Sequence, residues 1–185
     1  MPPTTDSIRA FLDYLSHEAA ASPLTIETYQ SDLRNFTAYA EGRLGEPFVP
    51  SEGDLDLVRG WLSIKLDEGL KASTVGRCLT SVRSFYRHLL KTGQIKRNPI
   101  QALRPPKAAR PLPVYVPTED MEQMLSVEVD PTDWRAVRDH LILTMLYECG
   151  LRRSEIAGLR DQAVDTTERQ LKVLGKGRKE RIVPF

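Results

Sequence analysis

The chain has 185 residues, 41% of them hydrophobic and 28% charged, the make-up of a soluble globular protein of one large domain or two small ones. No apolar run approaches the ~20 residues that span a bilayer. The N-terminus, Met1-Pro2-Pro3-Thr4-Thr5-Asp6, lacks a basic segment followed by an apolar core, so no secretion signal is visible and the expected location is cytoplasmic.

The net charge of +1 conceals a segregation. Residues 1–68 carry 5 Lys/Arg against 12 Asp/Glu, residues 69–118 carry 10 Lys/Arg and no acid, and residues 119–185 carry 11 against 13. Fifty residues without a carboxylate, on a segment patterned to fold, favour a surface for a polyanion over a merely solvated face. The two cysteines, Cys78 and Cys149, stand outside any CxxC and have no His close by. Two buried thiols are expected, with neither a disulfide nor a metal site.

In chain order, the first half reads as four helices. The first runs from about Asp6 to Ala20, with Ile8, Phe11, Leu12 and Leu15 at helical spacing. The second follows the cap candidate Ser22-Pro23 and ends near Gly42; the third starts near Ser51 and ends at Gly69. The fourth spans about Ser73 to Thr92. Its apolar face is Val75, Leu79, Val82, Tyr86 and Leu89, and at 100° per residue Arg77, Thr80, Ser84, Arg87, His88 and Lys91 fall on the opposite side. A wet face without Asp or Glu points to DNA, because ordinary exposed helices mix both signs. Residues 105–117 hold five prolines in 13 positions, a stiff extended linker. Arg104, Lys107 and Arg110 extend the basic surface into it.

A second domain opens at Thr118, read as a cap before Glu119, Asp120 and Glu122. A longer helix, about Thr132 to Cys149, is apolar nearly all round in Leu141-Ile142-Leu143-Thr144-Met145-Leu146-Tyr147, which predicts a central, buried helix ended by Gly150. A short helix follows over Ser154–Leu159. Gln170–Leu174 and Arg181–Phe185 then read as strands joined by a turn over Gly175–Glu180.

Two cations carry the chemistry. Arg152 follows the helix-ending Gly150, and Lys176 comes 24 positions later between two glycines. Arg offers a planar fork that matches phosphate oxygens, and Lys a compact charge that can release a proton. Each alone is a weak signal: Arg152 could simply pair with Glu155, and Lys176 could be a solvated turn residue. Gly175-Lys176-Gly177 also lacks the GxxxxGK[ST] spacing of a phosphate-cradling loop.

Taken together, Tyr147-Glu148-Cys149-Gly150-Leu151-Arg152-Arg153-Ser154-Glu155-Ile156 and Val173-Leu174-Gly175-Lys176-Gly177-Arg178-Lys179-Glu180-Arg181-Ile182-Val183-Pro184 resemble the catalytic-arginine box and the lysine hairpin of the tyrosine recombinases, the phage integrase family, and most of all its Xer-type members. Thr25–Tyr29 with Asp32-Leu33, Ser73–Tyr86 and Asn98-Pro99 resemble that family's N-terminal helices and its approach to the linker. The resemblance implies a mainly α fold: a SAM-like four-helix core-binding domain over 1–103, a linker over 104–117, and over 118–185 the first half of an α+β catalytic domain with its β-hairpin. It implies DNA strand exchange through a 3′-phosphotyrosine, with Arg152 clamping the scissile phosphate, Lys176 protonating the departing 5′ oxygen and Glu155 supporting the arginine box. Arg153 matches a variable position and takes no catalytic role. The implied partner is double-stranded DNA, bound by a homo- or hetero-tetramer of full-length subunits, with this fragment monomeric; no cofactor, metal or membrane is implied.

The chain departs from the family's pattern after the hairpin. None of His17, His88 and His140 is followed by Arg at the third position, and Tyr14, Tyr29, Tyr39, Tyr86, Tyr115 and Tyr147 all precede the hairpin. Inactivity in DNA cleavage is therefore expected, as are exposed apolar surface in the second domain and weak, salt-sensitive binding. Two other readings stay open: a naturally truncated, non-catalytic protein that occupies recombination sites, and a basic helical module for a protein or RNA.

Overall fold

The computed structural model describes residues 4–51, 54–107, 112–175 and 179–185. The chain divides into two compact units, Met1–Pro111 and Leu112–Phe185. Among the described residues no helix is long and apolar enough to cross a membrane.

The first unit is built on α1 (Thr4–His17), α2 (Pro23–Leu44), α3 (Leu55–Asp67) and α4 (Ala72–Lys91). Ser22 caps α2, its Oγ accepting from the Thr25 N–H at 3.2 Å, and Pro23 supplies a preset first turn. The helix runs past Gly42 and stops at Gly45, whose φ of 75° is the left-handed conformation that ends helices. α3 is described from Leu55, and just before it the Ser51 N–H and Oγ both donate to the Asp54 carboxylate, at 2.6 Å each. Phe11, Phe36, Phe48, Trp61, Phe85 and Tyr86 fill the centre, with Phe48 and Trp61 edge-on to Phe36.

Two buried carboxylates tie the helices together. Asp32 on α2 accepts from Arg77 Nη1 at 2.6 Å, Arg77 Nη2 at 3.2 Å and Ser81 Oγ at 2.5 Å, all on α4. Asp54, just before α3, accepts from the Tyr86 hydroxyl at 2.5 Å. Cys78 lies beside Asp32, and burial pushes its thiol up. Both thiols are free, but Cys149 is only half-buried, contrary to the expectation for two interior cysteines.

The second unit contains α5 (Thr118–Leu125), α6 (Trp134–Tyr147), α7 (Arg153–Ala157), a single 3₁₀ turn at Asp161–Ala163, and strands β1 (Val164–Asp165), β2 (Gln170–Leu174) and β3 (Glu180–Pro184). The strands form an antiparallel sheet in the order β1-β2-β3, with Leu171 opposite Val183 and Val173 opposite Arg181. β1 is an addition to the expected hairpin; two residues are too few for periodicity to register. Thr118 is the first helical residue of α5 rather than its cap, and Pro117 occupies the cap position.

The core of this unit is small: Leu151, Leu171 and Val173, with Met145, Cys149, Ile156, Leu159, Val164 and Val183 against them. The expectation of a central, buried α6 fails. None of its residues is buried, and Trp134 and Leu141 are 62% and 55% exposed. A helix apolar all round needs neighbours on every side. Among the described elements, α5 and α7 make its main contacts. The expected exposure of apolar surface in this unit is present.

Removing Arg77 would leave the Asp32 charge buried with only hydroxyl and thiol partners. Arg77→Ala is expected to destabilise the first unit by about 3 kcal/mol, read by urea unfolding of the α2 and α4 signals.

Candidate functional site

Two sites follow from the sequence expectations, one in each unit. In the second unit, Gly150 turns the chain at φ 58° and the Leu151 side chain inserts into the core. Arg152, the next residue, takes an extended conformation as the N-cap of α7. Glu155, at the third position of that helix, accepts the Arg152 backbone N–H on Oε2 at 2.8 Å. This is the carboxylate half of a capping box; the Arg152 side chain has no acceptor with which to complete it.

The side chain of Glu155 is 3% exposed and accepts three further hydrogen bonds. Arg152 Nη1 donates to Oε1 at 2.9 Å, Arg181 Nη1 to Oε1 at 2.6 Å, and Arg181 Nη2 to Oε2 at 2.9 Å. The Arg181 hydrogen bonds, then the Arg152 N–H, hold the carboxyl down to about 2 despite burial. Arg152 touches the pair with one N–H and stands 69% exposed, so the rest of its fork faces solvent. Arg152 and Glu155 stand here as their local motif implies, whereas nothing in that motif points to Arg181. The pairing of Val173 with Arg181 supplies it, because directly opposed residues share a face and Val173 is interior.

Lys176 lies outside the described residues. Gly175 does not: its N–H donates to the Lys179 carbonyl at 2.8 Å across the mouth of the hairpin. A Cβ at Gly175 would come within 3.3 Å of that carbonyl, 3.5 Å of Arg181 Nη1 and 3.7 Å of Glu155 Oε1. The residue before Lys176 is therefore packed against the Arg181–Glu155 pair, and a side chain there would crowd it.

In the first unit, the polar face assigned to α4 is only partly exposed. Arg87 and Lys91 are exposed, and Lys91 lies over the Tyr14 ring at 4.6 Å and 3.9 Å from Glu18. Thr80 is exposed but returns its hydroxyl to the Gly76 carbonyl at 3.0 Å, and Ser84 is half-buried. Arg77 is committed to Asp32. His88 is buried between the rings of Phe11 and Tyr14, and its Nδ1 has no hydrogen-bond partner. The expectation for His88 is thus corrected. α4 packs across a wider arc than its aliphatic residues mark, because Cys78, Ser81, Phe85 and His88 form a second interior column at helical spacing.

The cations gather instead along a cleft of about 870 Å³, where Arg83, Arg87, Arg104 and Lys107 line the walls with Asn98 and Gln101, and no carboxylate lines it among the described residues. Arg83, which helical spacing does not assign to the polar face, donates to the Leu103 carbonyl and so fixes the chain after the last turn against α4. Its position four residues before Arg87, on the same stripe, was the available signal. Arg110 lies outside the described residues. No group of three or more metal-ligating side chains comes together among the described residues.

Family models match in both units. Residues 8–93 match the phage integrase N-terminal SAM-like domain, and residues 115–185 match the phage integrase family. The chain belongs to the phage integrase, or tyrosine recombinase, family. It is 38% identical over 187 residues to the tyrosine recombinase XerC of Pelobacter propionicus, covering all of this chain and 61% of that protein. To the tyrosine recombinase XerD of Pseudomonas aeruginosa it is 38% identical over 180 residues, 96% of this chain and 58% of that protein. The chain thus spans about three-fifths of the length of these relatives. Among solved structures, a lambda integrase (75-356) dimer bound to a COC' core site shares the fold with a TM-score of 0.68 at 18% identity, over 97% of this chain and 59% of that one. The Tn1549 transposon integrase in complex with circular intermediate DNA does so with a TM-score of 0.64 at 19% identity, over 97% and 60%.

Burial lowers the His88 pKa below its ordinary 6.5, with Lys91 acting in the same direction and Glu18 against it. The unfolded ring therefore takes up a proton before the folded one does. The stability His88 contributes is complete above pH 6.5 and is lost as pH falls below it. Thermal unfolding of the first unit is expected to show this loss in the native chain and a smaller one in His88→Leu.

Proposed function

We propose that this chain is the DNA-binding portion of a site-specific tyrosine recombinase, carrying the first two side chains of the strand-exchange site. The observation that carries the reading is the Arg152 guanidinium, held at one corner by a buried carboxylate, open on the rest of its fork, and beside the hairpin that bears Lys176. That arrangement suits a phosphate diester. A guanidinium can grip both non-bridging oxygens while charge builds on them, and its anchoring in advance leaves little reorganisation for the reaction itself.

In this reading a tyrosine hydroxyl attacks the scissile phosphorus, a 3′-phosphotyrosyl bond forms as the bond to the 5′ oxygen breaks, and Lys176 gives that oxygen its proton. Arg152 stabilises the charge on the phosphate throughout. The bond energy stays in the phosphotyrosine, so rejoining needs no nucleotide and no metal. The attacking tyrosine is not one of the six in this chain. Tyr86 is buried and donates to Asp54, Tyr14, Tyr29 and Tyr39 pack on the first core, Tyr115 precedes the arginine box and Tyr147 opens it. The chain by itself therefore binds DNA without cleaving it.

That placement of the tyrosines also favours a second reading, in which the chain acts as a non-catalytic occupant of recombination sites. Both readings give duplex DNA the cleft of Arg83, Arg87, Arg104 and Lys107. The strand-exchange reading further implies assembly of full-length subunits into a homo- or hetero-tetramer on DNA.

Incubation with a nicked suicide duplex is expected to leave no covalent protein–DNA adduct; an adduct that survives denaturation would assign a nucleophile to this chain and overturn the inactive reading. Arg87→Ala is expected to weaken duplex binding about equally for all sequences and to lower the slope of log affinity against log salt by about 1. An unchanged slope would remove the cleft from the interface.

A further inference from the structure

We propose that Arg181 is a positioning residue for Arg152: by occupying both oxygens of Glu155, it keeps the Arg152 fork available to an outside phosphate diester. The proposal deepens the function above and rests on its assignment of a phosphate to Arg152.

A carboxylate offers about four acceptor positions, two on each oxygen. In this structure all four are used. Arg181 takes one on each oxygen, the Arg152 backbone N–H takes the second on Oε2, and Arg152 Nη1 takes the second on Oε1. Arg152 is thereby limited to a single-point contact. Without Arg181, half of the carboxylate would be open beside a guanidinium that is mostly solvent-exposed and mobile enough to reach it. Arg and carboxylate favour the two-point pairing, so Arg152 would close onto Glu155 and present a neutral pair in place of a cation. With Arg181 in place, two guanidinium groups share one carboxylate, and one positive charge remains on the exposed side.

The strand geometry makes this a property of the hairpin. Arg181 points inward because it is paired with Val173, and Gly175 leaves room for its guanidinium beside Glu155. Orientation of Arg152 thus depends on the register of the strand that follows Lys176.

The experiment uses the 185-residue chain and a fluorescently labelled DNA duplex, with affinities measured for the native chain, Arg181→Gln, Arg152→Ala and the double variant. Arg181→Gln is expected to weaken binding roughly tenfold when Arg152 is present and to have no effect when Arg152 is Ala. Additive losses would mean that Arg181 meets the DNA itself, and would overturn the proposal. In parallel, the Arg152 Nε–H NMR resonance of the DNA-free chain is expected to shift in Arg181→Gln; an unmoved resonance also overturns it. This second readout separates the two ideas. Arg152→Ala with native affinity would defeat the phosphate assignment, while the resonance would still decide whether Arg181 positions Arg152. Leu171 and Val173 methyl signals check that the sheet is intact. If Arg181→Gln loses them, Arg181→Lys decides: a single-point donor is expected to give part of the loss, and full native affinity would overturn the proposal.

Discussion

One carboxylate holds the second unit in working order. Glu155 sits where α7 begins, and its hydrogen bonds run in two directions, to the turn that presents Arg152 and to the strand after the hairpin. Such a group stays charged away from water only when its lone pairs are answered. Here they are, which is why the carboxyl is held down to about 2 instead of becoming neutral. The arrangement also depends on register. A slip of one residue between β2 and β3 would turn Arg181 to the outer face, where Lys172 and Glu180 pair at 2.8 Å, and would leave Glu155 without its main partner.

The first unit uses the same device for a different end. Asp32 and Asp54 are interior acceptors, each answered by α4: Arg77 and Ser81 for one, Tyr86 for the other. These contacts set how α4 is rotated about its axis, and therefore which of its cations reach the surface. Arg77 is drawn onto Asp32, whereas Arg83 and Arg87 turn toward the cleft that the Asn98–Lys107 segment closes. Carboxylates that might have cancelled the basic surface are instead its internal supports.

Much of this was legible in the sequence, and the exceptions have a common cause. Apolar spacing located α1, α2 and α4 to within a few residues, because a helix that must bury one stripe records that stripe in its composition. The strands of the hairpin were equally clear. Spacing reports the kind of residue at each position but not what lies opposite it. His88 and Arg77 were assigned to the wet face by their polarity; one is packed between aromatic rings, and the other, though 44% exposed, is turned onto the buried Asp32. α6 failed in the reverse sense: its composition is that of an interior helix, and the described residues cover only part of it. Arg152 and Glu155 could be found from a local motif. Arg181 could not, because its role arises from a strand pairing 26 positions from Glu155.

The separation of charge within the first unit has a consequence for how the molecule travels. The exposed carboxylates belong mostly to α1 through α3, and the cations to α4 and the segment after it. A body charged in this way has an electrostatic moment, and in the field of a long polyanion it is turned before it touches. At physiological salt this field reaches about 8 Å, so the rotation is completed within the last layers of water. The first unit then presents its basic cleft to such a polyanion, and a larger fraction of encounters becomes productive than random tumbling would allow. Because the attraction is to charge and not to base edges, it carries no sequence information, and any reading of sequence is left to contacts made after arrival.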